Sequence, residues 1–135
     1  MTSFNRVKLS KEATFRARAA AGRLGITPNI LYRFGICLSI DDPSIPNPVQ
    51  YGQDGQEIDR RTLLGEWDSF FIALMKQRLK QDGLDLERDF DLQFKAHLNR
   101  GTLLFCNRVR DLADIYELLP SGLTNSIPGI QQQDR

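Results

Sequence analysis

The sequence holds few residues that carry chemistry on their own. There are two cysteines and one histidine in 135 residues. Cys37 and Cys106 are too few and too far apart for a zinc ribbon or a CxxC redox pair. They sit in the apolar runs "FGICLSI" and "LLFCNRV", the setting of buried structural thiols. So few cysteines also exclude a disulfide scaffold, and nothing points to an oxidising compartment. His97 has no second histidine or thiol near it, so no metal site is expected. It reads as a helix-surface or interface side chain. No apolar run is long enough to span a bilayer, and no segment has the apolar centre of a signal peptide. The chain therefore reads as cytoplasmic, without a membrane partner. P-loop and GxSxG patterns are missing, and Gly52, Gly55 and Gly65 fit no nucleotide fingerprint. No cofactor is expected, and no catalytic residue stands out.

What the sequence does have is an uneven distribution of charge. The net charge is only +1. Yet residues 1–40 hold Arg6, Lys8, Lys11, Arg16, Arg18, Arg23 and Arg33 against the single acid Glu12, a surplus of six. The remaining residues are acidic by five. Such a split points to nucleic acid, or an acidic membrane surface, at the basic end. A solvated helix face has the same composition.

At this length one domain is expected. The patterns predict a mainly α fold: a compact helical domain of four to five helices behind a short N-terminal strand. Residues 4–40 form a basic strand-helix-helix module. Residues 41–58 are a loop or a small hairpin turning at Asp54-Gly55. Residues 59–119 are helical, and 120–135 read as a disordered tail. In the first module "FNRVKL" alternates as a strand does, but one strand needs a partner, and no strong strand is nearby. Ser10 is an N-cap, and Ala13, Ala17, Ala20 and Leu24 make an apolar helical stripe. Gly25 suits the position after that helix, and Thr27-Pro28 opens the next. Asp59 caps a third helix with strong periodicity from Leu63 to Leu79, which Gly83 ends. Gly101 reads as a stop or kink between two later helical stretches.

The second helix, "PNILYRFGICLSI", is apolar nearly all round. Ile30, Leu31, Phe34, Ile36, Cys37, Leu38 and Ile40 leave little polar surface, so burial against a second chain is expected as well as against its own core. The acidic run Asp82, Asp85, Glu87, Asp89 and Asp91 has the residue types of a metal-dependent nuclease. It also has those of a solvated helix start.

Strand, helix, glycine turn, helix is the order of the ribbon-helix-helix DNA-binding module, which residues 4–34 resemble. In that module two chains pair their strands, which would supply the missing partner. A helix start presents free N–H groups and partial positive charge to a phosphate. Gly22 and Gly25 leave room for close approach, Arg23 adds a charge-assisted contact, and Asn29 lies in the first turn. The expected phosphate contacts are thus Arg6, Lys8, Lys11, Arg16, Arg18, Arg23 and Arg33, with Gly22, Gly25 and Asn29 shaping the turn.

The blocks "GITPNI", "TLLGEWD" and "HLNRG", within a likeness running from Val7 to Leu119, resemble the DndE family of bacterial DNA sulfur-modification proteins. That resemblance implies a small helical DNA-binding member of the phosphorothioation machinery. It implies a homo-oligomer, a tetramer, with a preference for nicked duplex. It also implies partners that handle the sulfur: a cysteine desulfurase, a reductase-like iron–sulfur protein and an ATPase. Other readings of the residues are a ribbon-helix-helix regulator or antitoxin, a nickase using the acidic run, and an assembly adaptor that joins protein partners.

Overall fold

The computed structural model describes residues 4–118; the expected tail, residues 120–135, lies outside them. Its order is β1 (Arg6–Lys8), α1 (Lys11–Leu24), α2 (Pro28–Asp41), β2 (Glu57–Asp59), α3 (Arg60–Leu64), α4 (Asp68–Gln81), α5 (Phe90–Arg108) and α6 (Ala113–Tyr116). Single 3-10 turns occupy Pro48–Gln50 and Gly65–Trp67. The fold is mainly α, as the periodicity predicts. No described helix is long and apolar enough to cross a membrane.

The apolar helix α2 is the centre of the molecule. Leu31 and Ile36 are wholly buried, and Phe34, Leu38 and Ile40 pack against the same core. The chain thus covers most of α2 itself. Leu31 and Ile36 cannot line a contact with a second copy, contrary to the expectation for them. Only Ile30 and Cys37 of the expected set stay exposed. Cys37 is therefore not the buried thiol its neighbours suggest, whereas Cys106 is buried.

Glycines set how close α2 and α5 come. A Cβ built on Gly35 would stand 2.7 Å from the carbonyl carbon of Gly101, and one on Gly101 would meet the Gly35 carbonyl. Gly101 is thus not a stop. α5 continues through it, and only a residue without a side chain fits where the backbones touch.

The strand also corrects the ribbon reading. β1 pairs within the chain with β2, antiparallel, in the register Arg6 with Asp59, Val7 with Ile58 and Lys8 with Glu57. Leu9 N–H donates to Gln56 O and Arg60 N–H to Asn5 O, which extends the ladder at both ends. Val7 and Ile58 point into the core. Residues 49–58 form no hairpin of their own. Gly55 N–H donates to Leu9 O, so this segment runs back along β1 and α1.

Local punctuation behaves as expected. The Ser10 hydroxyl accepts from Ala13 N–H. Gly25, at φ 70°, sends its N–H to Ala21 O. Asp59 accepts from Arg61 and Thr62 N–H. The expected third helix is interrupted at Gly65 (φ 53°) and becomes α3 and α4.

His97 is the largest departure. It lies wholly buried on α5, not on a surface. Its Nδ1 is 2.8 Å from Ser39 Oγ, and its Nε2 has no partner among the described residues. Around it, Arg100 donates to Ser39 Oγ, Ser39 O and Ser44 Oγ. Arg78, itself buried, reaches the carbonyls of Ile40 and Ser44 and the Asp82 carboxylate. Burial lowers the His97 pKa to about 3, helped by the charges of Arg100 and Arg78 and opposed by Asp42. The ring stays neutral at ordinary pH.

Candidate nucleic-acid interface

The apolar stripe of α1 is mostly alanine: Ala13, Ala17, Ala20 and Ala21, with Leu24, are buried. Small side chains bring α1 close to α5. The long side chains flanking the stripe then reach the end of α5. Arg16 Nη2 donates to Asn107 Oδ1 at 2.6 Å, and Arg23 Nε donates to the Arg110 carbonyl at 3.1 Å. Between them runs a groove of about 430 Å³ lined by Phe15, Arg16, Ala19, Ala20, Arg23, Cys106 and Arg110. Burial pushes the Cys106 thiol up, against the opposing charges of Arg16 and Arg23. The floor of the groove is therefore neutral and its walls are cationic.

Ion pairing divides the described arginines. Arg60, Arg78, Arg88, Arg100 and Arg6 face Asp68, Asp82, Asp89, Asp42 and Glu57 respectively. Arg16, Arg18, Arg23, Arg108 and Arg110 make no ion pair among the described residues, and all belong to α1 or to the chain at the end of α5. Arg33 on α2 and Arg61 on α3 are in the same condition but stand apart. Glu12 is the acid on α1. Asp114, close to Arg110, turns its carboxylate onto the N–H groups of Arg110 and Asp111, which hold its pKa down, helped by the Arg110 charge.

The ten expected contact residues fall in three places. Arg16, Arg18, Gly22 and Arg23 share the outer side of α1, with Lys11 exposed at its start. Gly22 faces open space, since a Cβ there would meet nothing within 4 Å. Gly25 follows in its left-handed conformation. Arg6 and Lys8 lie at the strand, where Glu57 and Asp91 share the surface. Asn29 and Arg33 form the third group, and both are engaged within the chain. Asn29 Nδ2 donates to Thr62 O, and Arg33 Nε to Leu63 O at 2.7 Å. They close the free carbonyls at the end of α3, and the start of α2 lies against that end. Thr27 occupies the N-cap position without a side-chain bond.

Arg108, Arg110 and Phe15 did not emerge from the sequence. The two arginines lie in the part of the chain that is acidic overall. Their one signal is "NRVR", a basic pair closing an apolar helix. The acids of the run 82–91 serve the local backbone: Asp82 pairs with Arg78, Asp85 accepts from Glu87 and Arg88 N–H, and Asp89 accepts from Asp85 N–H. Among the described residues no group of three or more His, Cys, Asp or Glu is placed to hold a metal.

Comparison with known proteins bears on this geometry. Among solved structures the chain is similar to DndE from Escherichia coli B7A, involved in DNA phosphorothioation modification. The identity is 26%, over 76% of this chain and 97% of that one, with a TM-score of 0.60. It also shares the fold of a DndE mutant with lysine in place of two glycines three positions apart (23% identity, 77% and 99% coverage, TM-score 0.60). The comparison with curated proteins returned no match. The family model described as "DNA sulphur modification protein DndE" matches residues 6–110, a span that takes in both strands, the α2–α5 pair and the arginines of the groove. That match makes this chain a member of the DndE family of DNA sulfur-modification proteins.

Proposed function

We propose that this chain is a non-catalytic DNA-binding subunit of the phosphorothioation machinery. It holds the duplex by its phosphates through α1 and the end of α5. The observation that carries the reading is that the arginines of α1 and of the chain at the end of α5 make no ion pair among the described residues, Arg16, Arg23 and Arg110 lining one groove, in a protein whose other described arginines mostly do. A guanidinium without an acid beside it is available to a phosphate. The preference for nicked duplex and the sulfur-handling partners, a reductase-like iron–sulfur protein and an ATPase, come with the family reading. So does assembly into a tetramer. An exposed apolar groove of Ile30, Phe34, Trp67 and Phe70 supports contact with a second copy. The spacing of Gly22 and Gly25 equals that of the two glycines replaced in the DndE mutant.

Titration of intact and nicked duplex across salt concentrations tests the reading. Log affinity should fall linearly with log salt, at roughly 0.9 per phosphate neutralised. Arg23→Ala should lower that slope by about one and weaken all sequences alike. Strong selection among random duplexes would favour a sequence-reading regulator. Strand scission with Mg²⁺ in the same samples would favour a nickase. A flat salt profile would remove DNA-backbone binding altogether.

A further inference from the structure

Phe15 belongs to no core or aromatic cluster among the described residues. Its side chain is 74% exposed, more than any other described aromatic. It lies on the outer side of α1, between the Lys11–Arg18 row and the Arg16–Arg23 row. One turn and two turns further along the same side come Ala19 and Gly22, so no side chain of α1 covers that edge of the ring. An apolar ring this exposed on a charged helix gains nothing from the fold. It suits a flat apolar ligand that also carries negative charge.

We propose that the groove between α1 and the end of α5 seats one unstacked nucleotide of a DNA strand. Its phosphate would lie against Arg16, Arg23 and Arg110, and its base on Phe15. The proposal rests on the DNA-binding reading and adds a ligand class to it. The groove, about 430 Å³, falls within the range of small-molecule sites. Its neutral floor at Cys106 and its cationic walls match the two parts of a nucleotide. A base inside an intact duplex is stacked on both faces and cannot reach the ring. The ligand is therefore a strand with an unpaired base: a gap, a flap or single-stranded DNA. Stacking on an aromatic side chain is tolerant of base identity, so no sequence preference accompanies it.

The test compares fluorescently labelled intact duplex, the same duplex with a short gap, and a single-stranded oligonucleotide, by anisotropy. Phe15→Leu should weaken the gapped and single-stranded probes by roughly five- to a hundred-fold, with a much smaller effect on intact duplex. Phe15→Tyr, which keeps the aromatic face, should retain binding. Arg16→Ala should weaken all three probes. Equal loss on every probe, no loss, or full retention in Phe15→Leu would overturn the nucleotide seat. So would a smaller assembly of Phe15→Leu in light scattering, which would make the ring a contact between copies. If wild-type protein binds none of the probes, the DNA reading fails and this one with it. If it binds intact duplex and the Phe15 variants do not discriminate, only this one fails.

Discussion

Arg78 and Arg23 carry the same guanidinium into opposite surroundings. Arg78 is 3% exposed and gives its donors to Ile40 O, Ser44 O and Asp82. Arg23 is exposed and makes one hydrogen bond, to the Arg110 carbonyl. A charge taken out of water needs its hydrogen bonds satisfied, or the fold that buries it is not stable. A charge left in water without an acid beside it contributes little to stability and keeps its affinity for an anion. The molecule thus uses one residue type for two purposes. The environment of each arginine, rather than their number, separates binding groups from structural ones.

The comparison breaks most visibly at the buried end. Arg78→Ala strips Asp82 of its cation and two carbonyls of their donor. It should lower stability by about 3–5 kcal/mol, read by urea unfolding. A loss below about 1 kcal/mol would mean that the network is ornamental.

Next comes pH. His97 is neutral in the fold, with a pKa of about 3, and the unfolded chain returns it to about 6.5. As pH falls below that value the unfolded state takes up a proton that the fold excludes. Stability should therefore drop by up to about 1.4 kcal/mol per pH unit, until about pH 3 is reached. Histidine is the side chain whose ordinary pKa lies near the top of the window from pH 6.5 to 5, so melts there report chiefly on it. His97→Gln should flatten the profile there. An unchanged slope in that variant would assign the acid sensitivity elsewhere.

The smallest effect on stability is expected on the basic face. Arg16→Ala and Arg23→Ala should each shift unfolding free energy by no more than about 0.5 kcal/mol. A large loss of stability in either would make these arginines structural, and the distinction drawn above would fall.

Much of this was legible from the sequence wherever a rule acts over a few residues. Ser10, Gly25, Pro28, Asp59 and Gly83 mark helix ends through bonds and dihedrals made within one turn. Alanine spacing in α1 likewise named its buried face. What failed depends on segments far apart in sequence. The partner of β1 is three residues of a glycine-rich stretch, too short to show a pattern. Gly101 reads as punctuation until Gly35 lies against it. Arg110 joins Arg16 and Arg23 only because α1 lies along α5, and a tally of charge by position separates them. His97 looked superficial because the residues that surround it, Ser39, Arg78 and Arg100, come from three helices.

The contact of Gly35 with Gly101 also sets an order of events on the ribosome. α2 leaves the exit tunnel well before α5 exists. At roughly 5–20 residues per second, the apolar side chains of α2 wait on the order of several seconds for the surface that will cover them. During that interval they are open to chaperones and to other nascent chains. A transcript cut short before α5 would leave the α5-facing side of α2 without its cover.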